Sequence, residues 1–320
     1  MNLRSAINVF VVMGVMFLLL EWLSHEFPNM RGATPADFDI LTPRPILSSG
    51  YSAADHERYE NLMNCAARTR DHYRNGKYDR AIDDASQFIS LDPDRPWGYY
   101  MRGLAREQKR DYDGAIADFS AAIRVEPKYS WAYAERGLAW EEQGKLDAAL
   151  ADCSKALELD PKNSYAYFYL AEARWRNGDL EEAIRDAAKA VELAPTNAPA
   201  YNLRAWLLYQ NGSLTEALED ADRAITFGPK YPYAWGTRGW IEFSQGNTNG
   251  AIADCAKAVQ LGANTPYTYY DSGLIHYAAG QYAEAIADWS KMVEVRPDDR
   301  HELQPWIDKA RAQQAATVPH

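Results

Sequence analysis

The chain has 320 residues, 47% of them apolar and 25% charged, which is the composition of a folded chain and excludes a disordered one. Three cysteines exclude a disulfide scaffold, and a mean hydropathy of −0.49 excludes a polytopic membrane protein. The net charge of −11 argues against nucleic acid as a partner, because phosphate binding needs a basic footprint; beside that charge stands a surplus of 21 Tyr, 10 Trp and 9 Phe.

The chain opens on an apolar run from Ala6 to Leu20, interrupted by Asn8, which Trp22 and Leu23 extend if Glu21 sits at an interface. As a helix this stretch would be roughly 27 Å long, close to one hydrocarbon thickness. Glu21 to Glu26 offer no small-x-small cleavage site, and no cysteine precedes Cys65, so neither a signal peptidase nor lipoprotein processing finds its usual substrate. The expectation is a retained single-pass anchor over residues 1–23. Arg4 precedes the run while Glu21 and Glu26 follow it, which favours an inner-membrane protein of a bacterium with its bulk in the periplasm. The alternatives are release after signal cleavage, or a cytoplasmic body, to which three unpaired thiols would be suited. Residues 24–51, with Pro28, Pro35, Pro43 and Pro45, read as an extended tether.

From there a period of 34 residues organises the chain. Pro93, Pro127, Pro161, Pro195, Pro229 and Pro297 share one register, broken at Ala263. With this proline as the thirty-second residue, seven units run 62–95, 96–129, 130–163, 164–197, 198–231, 232–265 and 266–299. Position 20 is then Ala81, Ala115, Ala149, Ala183, Ala217, Ala251 and Ala285. Position 8 is small except at Thr69, and position 15 is glycine except at Arg110. Small residues at 8 and 20 let two helix backbones approach, glycine at 15 ends the first helix in a left-handed cap, and proline at 32 stops the second.

These registers resemble those of the tetratricopeptide repeat family, as found in bacterial membrane-anchored proteins of that type. The resemblance implies an all-α fold: a right-handed α-solenoid of seven helix-turn-helix units, here preceded by a single N-terminal transmembrane helix. It also implies that the first helix of each unit lines a concave groove for other proteins. Repeat arrays need covered ends. Ser52 to Asn61 is expected to lengthen the first helix, and Pro305 to Gln314 to form a closing helix within 300–320, with Trp306, Ile307 and Ala310 on one face.

Position 23 is aspartate in all seven units, and position 7 is arginine in five, with Leu170 and Ser272 departing. Neighbouring helices lie about 8–10 Å apart, too far for one cation to bridge equivalent carboxylates. The two registers are therefore expected to pair as a structural ladder, Arg102 with Asp118, Arg136 with Asp152 and Arg204 with Asp220, leaving Asp186 and Asp288 less tightly held.

The resemblance assigns partner contact to positions 2, 5, 9, 12 and 13 of the first helix. These columns hold Trp97, Trp131 and Tyr165 at 2, Tyr100, Phe168 and Tyr270 at 5, Trp206 and Trp240 at 9, and Trp175, Tyr209 and Phe243 at 12. Part of this is packing between units; the tryptophans at 2 and 9 are the rings expected to await a partner. Such a wall suits a protein or peptide with an apolar, aromatic or proline-containing segment. Glu107, Glu135, Glu141, Glu142 and Glu172 add acidic patches that would favour basic flanks, against Arg70, Arg74 and Arg176, so a basic clamp on a terminal carboxylate is not expected.

No metal spacing, phosphate loop or nucleophile elbow appears, and no cofactor is expected. His72 and His276 occupy position 11, a core slot. The expected function is a non-enzymatic, membrane-anchored interaction scaffold, suited to assembly or quality control of an envelope complex. The alternatives are a permanent accessory subunit of a membrane complex and, remotely, an enzyme.

Overall fold

The computed structural model describes residues 53–262 and 266–317, with side chains over 57–262 and 268–316. The expected anchor, 1–23, and tether, 24–51, lie outside the described residues.

Among the described residues there are fifteen α-helices, one 3-10 turn, Pro297–Asp299, and no strand. In chain order they are α1 (Ala53–Arg74), α2 (Tyr78–Leu91), α3 (Pro96–Gln108), α4 (Tyr112–Val125), α5 (Ser130–Glu142), α6 (Leu146–Leu159), α7 (Ser164–Asn177), α8 (Leu180–Leu193), α9 (Ala198–Gln210), α10 (Leu214–Phe227), α11 (Pro232–Ser244), α12 (Thr248–Leu261), α13 (Pro266–Ala278), α14 (Tyr282–Val295) and α15 (Arg300–Thr317). The chain divides into two compact bodies after Asn177, the first holding α1–α7 and the second α8–α15.

The assignment to a membrane requires correction. Among the described residues no helix is long and apolar enough to cross one. Most of the helices have 13 or 14 residues, about 20 Å at 1.5 Å rise and short of a bilayer. The longest, α1 with 22 residues, carries charges from Glu57 to Arg74.

Inside each body, consecutive helices pack as antiparallel pairs, and the first helices of successive repeats also lie against one another: α1, α3, α5 and α7 in the first body, α9, α11 and α13 in the second. Within each body these first helices form one layer, termed the inner layer. The alanines of position 20 are wholly buried, because a larger side chain there would wedge the pair apart. Position 8 works from the other side. A Cβ on Gly103 would stand 2.7 Å from the Phe119 ring, and one on Gly137 2.6 Å from the Cys153 sulfur. Where Thr69 replaces the small residue, its hydroxyl is buried but donates to the Cys65 carbonyl at 2.8 Å, which offsets the cost of desolvating it.

The turns follow from backbone geometry. Gly144 has φ +71° and closes α5 with its N–H on the Glu141 carbonyl at 2.8 Å, while the Lys145 N–H reaches Trp140 at 2.9 Å. In the second unit the Arg110 N–H meets the Glu107 carbonyl at 2.8 Å and the Asp111 N–H the Arg106 carbonyl at 2.9 Å, with Arg110 at φ 60°, a conformation that costs a non-glycine residue about 1 kcal/mol.

The first body's core centres on Phe88, Tyr100 and Phe119, and the second's on Leu207, Ile241, Ile275, Trp289 and Met292. At the carboxyl end α15 begins at Arg300, earlier than the sequence suggests, with Pro305 inside the helix and Leu303, Ile307 and Ala310 buried. Trp306 packs on Trp289 at 5.9 Å and on Tyr277 at 6.0 Å.

Candidate functional site: the inner layer of the repeats

The ion-pair ladder fixes how each inner helix is held against its outer partner. Arg102 grips Asp118 through Nη2 and Nε at 2.7 and 2.9 Å, Arg136 grips Asp152 at 2.8 and 2.7 Å, and Arg204 grips Asp220 at 2.7 and 2.5 Å. Arg238 holds Asp254 in the same two-pronged way, both contacts at 2.7 Å. The guanidinium also ties successive repeats together. Arg102 donates to Ser86 Oγ at 3.1 Å, Arg136 to Ser120 Oγ at 3.0 Å and Arg238 to Asp222 at 2.8 Å, each partner belonging to the preceding unit. Where position 7 lacks arginine in the last unit, His276 Nδ1 lies 2.8 Å from Asp288, and in the first unit His72 joins Arg68 on Asp84. Sequence reading placed these histidines in the core; their aspartate contacts across twelve residues become visible only once the two helices face each other.

The aromatic columns divide by burial. Trp97 is 2% exposed and packs on Phe88 at 4.7 Å between centroids. Tyr100 is wholly buried between Phe119 and Tyr129, at 5.9 and 5.3 Å, and Phe168 is buried against Tyr169. Trp206, Trp240 and Tyr270 are likewise buried, at 7%, 4% and 5% exposure. Half-buried, and so presenting part of a ring to solvent, are Trp131, Tyr165 and Trp175 in the first body and Tyr209 and Phe243 in the second. Trp131 and Tyr165 stack at 5.4 Å; Tyr209 lies 5.3 Å from Trp206, and Phe243 stands edge-on to Trp240 at 6.4 Å. The tryptophans of position 9, which the sequence leaves open to a partner, are thus spent largely on packing.

Glu107, Glu135, Glu141 and Glu172 of the first body's inner layer are buried too. Glu135 accepts the Tyr100 hydroxyl at 3.3 Å on one oxygen and the Tyr169 hydroxyl at 3.4 Å on the other. Glu141 meets Arg176 at 2.9 Å, with Glu142 4.0 Å from the same guanidinium and Tyr112 donating to Glu142 at 3.3 Å. Burial, reinforced by Glu142 and partly offset by Arg176, pushes the Glu141 carboxyl up to about 7. Burial and the neighbouring Glu141 also raise Glu172 well above the usual range. Among the described residues no group of three or more His, Cys, Asp or Glu side chains is arranged to hold a metal ion.

The second body carries on a first helix an acid that the sequence alone does not single out. Asp271, on α13, accepts the Trp240 indole N–H on Oδ1 at 3.0 Å, and burial pushes its carboxyl up to about 7 against the lowering effect of that bond. The available signal was positional, because Asp271 and Glu135 both occupy position 6 of their units, a column otherwise without acids.

Comparison with known proteins agrees with this architecture. A model described as tetratricopeptide repeat matches residues 67–124, 100–164, 170–234 and 202–267, and a second model of the same description matches 153–185. No curated protein matches. Among solved structures, a chain of the APC/C Cut9–Hcn1 hetero-tetramer is similar over 78% of this chain with a TM-score of 0.66 and 13% identity; this chain spans 48% of that one. A tetratricopeptide repeat protein of Parabacteroides merdae is similar over 79% of this chain and 99% of its own, with 18% identity and a TM-score of 0.60. A thermophilic protein of the same kind from Thermus thermophilus is 23% identical over 57% of this chain and 99% of its own, with a TM-score of 0.52. At these identities the likeness is one of fold. The family models together span well over half of the chain, on the same helix pairs that the 34-residue register marks out, and the chain belongs to the tetratricopeptide repeat family.

Proposed function

We propose that this chain is a non-enzymatic interaction scaffold whose inner helix layer binds a protein or peptide segment rich in apolar, aromatic or proline residues. The fold suggests a protein–protein interaction scaffold, and its family is generally non-enzymatic. The similar Cut9–Hcn1 structure is itself a hetero-tetramer. The observation that carries the reading is the set of half-buried rings, Trp131, Tyr165, Trp175, Tyr209 and Phe243, on first helices of the repeats. Rings held by their neighbours offer large contact area at little further cost in entropy, which is how aromatic hot spots work.

The test is selection of random dodecapeptides on the purified chain, followed by affinities for the selected peptides. Tyr165→Ala and Phe243→Ala, each removing a ring already partly in solvent, should lower affinity about tenfold or more for one peptide set or the other while circular dichroism stays native. Unchanged affinities in both variants would remove the inner layer as the binding surface. Trp206 and Trp240 are poor probes, since at 7% and 4% exposure their loss would damage the core first.

A further inference from the structure

Asp271 is a carboxylate whose surroundings are built for a charge that the fold itself does not place there. The aspartates of the ladder, Asp118, Asp152, Asp220 and Asp254, each meet an arginine. Glu135, at the position equivalent to that of Asp271, has a tyrosine hydroxyl on each oxygen. Among the described residues Asp271 has the Trp240 indole on Oδ1 and no ion pair.

Among the described residues no cation pairs with it. Trp240 and Gly236 face it from α11, Tyr209 of α9 and Cys255 of α12 feel its charge, and Tyr270 adjoins it on α13. The groups that act on its neighbours are acidic as well: Asp288 of α14 acts on the same Cys255, and Glu302 of α15 on the same Tyr270. Gly236 matters by what it omits. It occupies position 5, which carries an aromatic ring in Tyr100, Phe168 and Tyr270, and a Cβ built there would stand 3.8 Å from Asp271 Oδ2. The missing side chain leaves room beside the oxygen that the indole does not use; Gly236 is itself buried, while Asp271 keeps part of its surface in solvent. The half-buried rings of Tyr209 and Phe243 belong to the neighbouring inner helices α9 and α11.

We propose that Asp271 receives one basic side chain, a lysine or arginine, of the bound protein segment, entering over Gly236 beside the aromatic rings. The indole N–H holds the carboxylate in place, the apolar walls strengthen its attraction for a cation, and the rings add cation–π contact. This rests on the inner layer being the binding surface, and it names the chemistry that one part of that surface selects.

The experiment uses the full chain and a display library of random dodecapeptides at pH 7.5, selected in parallel on the wild type and on Asp271→Asn. Asparagine keeps the acceptor for Trp240 and removes the charge. The expected result is a lysine or arginine at one fixed position of the wild-type peptides, lost from those selected on Asp271→Asn. Replacing that residue by norleucine in one selected peptide should weaken binding to the wild type about tenfold or more and leave binding to the variant unchanged. Gly236→Leu, which fills that room without touching the charge, should weaken the same peptide as much; it keeps the test open if Asp271→Asn folds poorly. Peptides without a fixed basic residue, or a basic preference that survives both substitutions, would overturn the assignment of Asp271 while leaving the binding surface standing. Failure to enrich any peptide on the wild type would overturn both.

Discussion

Glu135 in the first body and Asp271 in the second sit at the same position of their repeats and are treated in opposite ways. Glu135 lies wholly buried under two tyrosine hydroxyls, and the nearby Glu141, Glu142 and Glu172 share Arg176. Asp271 has one indole N–H and no described cation. In the first body the buried acids are answered internally, by tyrosine hydroxyls and a guanidinium, and burial raises the Glu141 and Glu172 carboxyls. In the second, Asp271 is answered by one indole N–H alone. The difference teaches that acidity in a repeat groove says little about ligand preference until the internal partners of each carboxylate are known.

The strongest way to break this comparison is to remove the first body's internal cation. Arg176→Met leaves three glutamates buried without it, and should cost about 3–5 kcal/mol in urea unfolding at pH 8. The loss should shrink at pH 5, where Glu141 and Glu172, both raised by burial, take up protons; a loss equal at both pH values would mean that Arg176 acts through packing alone.

Next in size is the pH dependence of the second body's acid. The folded Asp271 carboxyl lies near 7 against an ordinary value of 3.8, so between those values the folded state binds the proton more tightly than the unfolded one. Its contribution to stability is therefore present at low pH and is lost as pH rises from about 4 to 7, by up to about 1.4 kcal/mol per unit. Asp271→Asn should flatten that part of the unfolding free energy measured from pH 5 to 8. A curve parallel to that of the wild type would show that Asp271 is ionised throughout. Glu141, raised for the same reason, should leave a similar slope in the variant's remaining curve.

The ladder offers a comparison within the repeats. Asp152→Asn breaks a two-pronged arginine contact and should cost about 2 kcal/mol, discounted because Arg136 is 20% exposed. Asp288→Asn, which faces a histidine, should cost less than about 1 kcal/mol at pH 8. Equal melting shifts would remove the distinction between arginine and histidine rungs. The smallest effect is a gain: Arg110→Gly relieves the left-handed turn and should raise stability by about 0.5–1 kcal/mol in thermal unfolding.

The parts of this protein that were legible in the sequence share a physical property: they are local. Glycine at the turn, alanine at the helix contact and proline at the stop each answer a constraint within one repeat. The arginine and aspartate of a rung are sixteen residues apart, a spacing that one helix pair sets by itself. The aromatic surplus was legible as a column but not as a surface. Whether Trp240 or Phe243 keeps a face in solvent depends on rings and backbones one repeat away, and no periodicity reports how tightly those pack. The apolar run at the amino terminus was equally visible but lies outside the described residues, and among those no helix is long and apolar enough to cross a membrane.

What the sequence by itself determined is therefore the repeat, its length, its turns and its internal rungs, because each is decided by backbone geometry and contacts inside 34 residues. The tertiary structure alone decided which carboxylates are answered within the protein. Arg176 reaches Glu141 across 35 residues, and Trp240 reaches Asp271 across 31, so both partnerships exist only when one repeat is laid against the next. Stacking buries these acids, and burial makes each one either find an internal donor or keep its charge for a ligand.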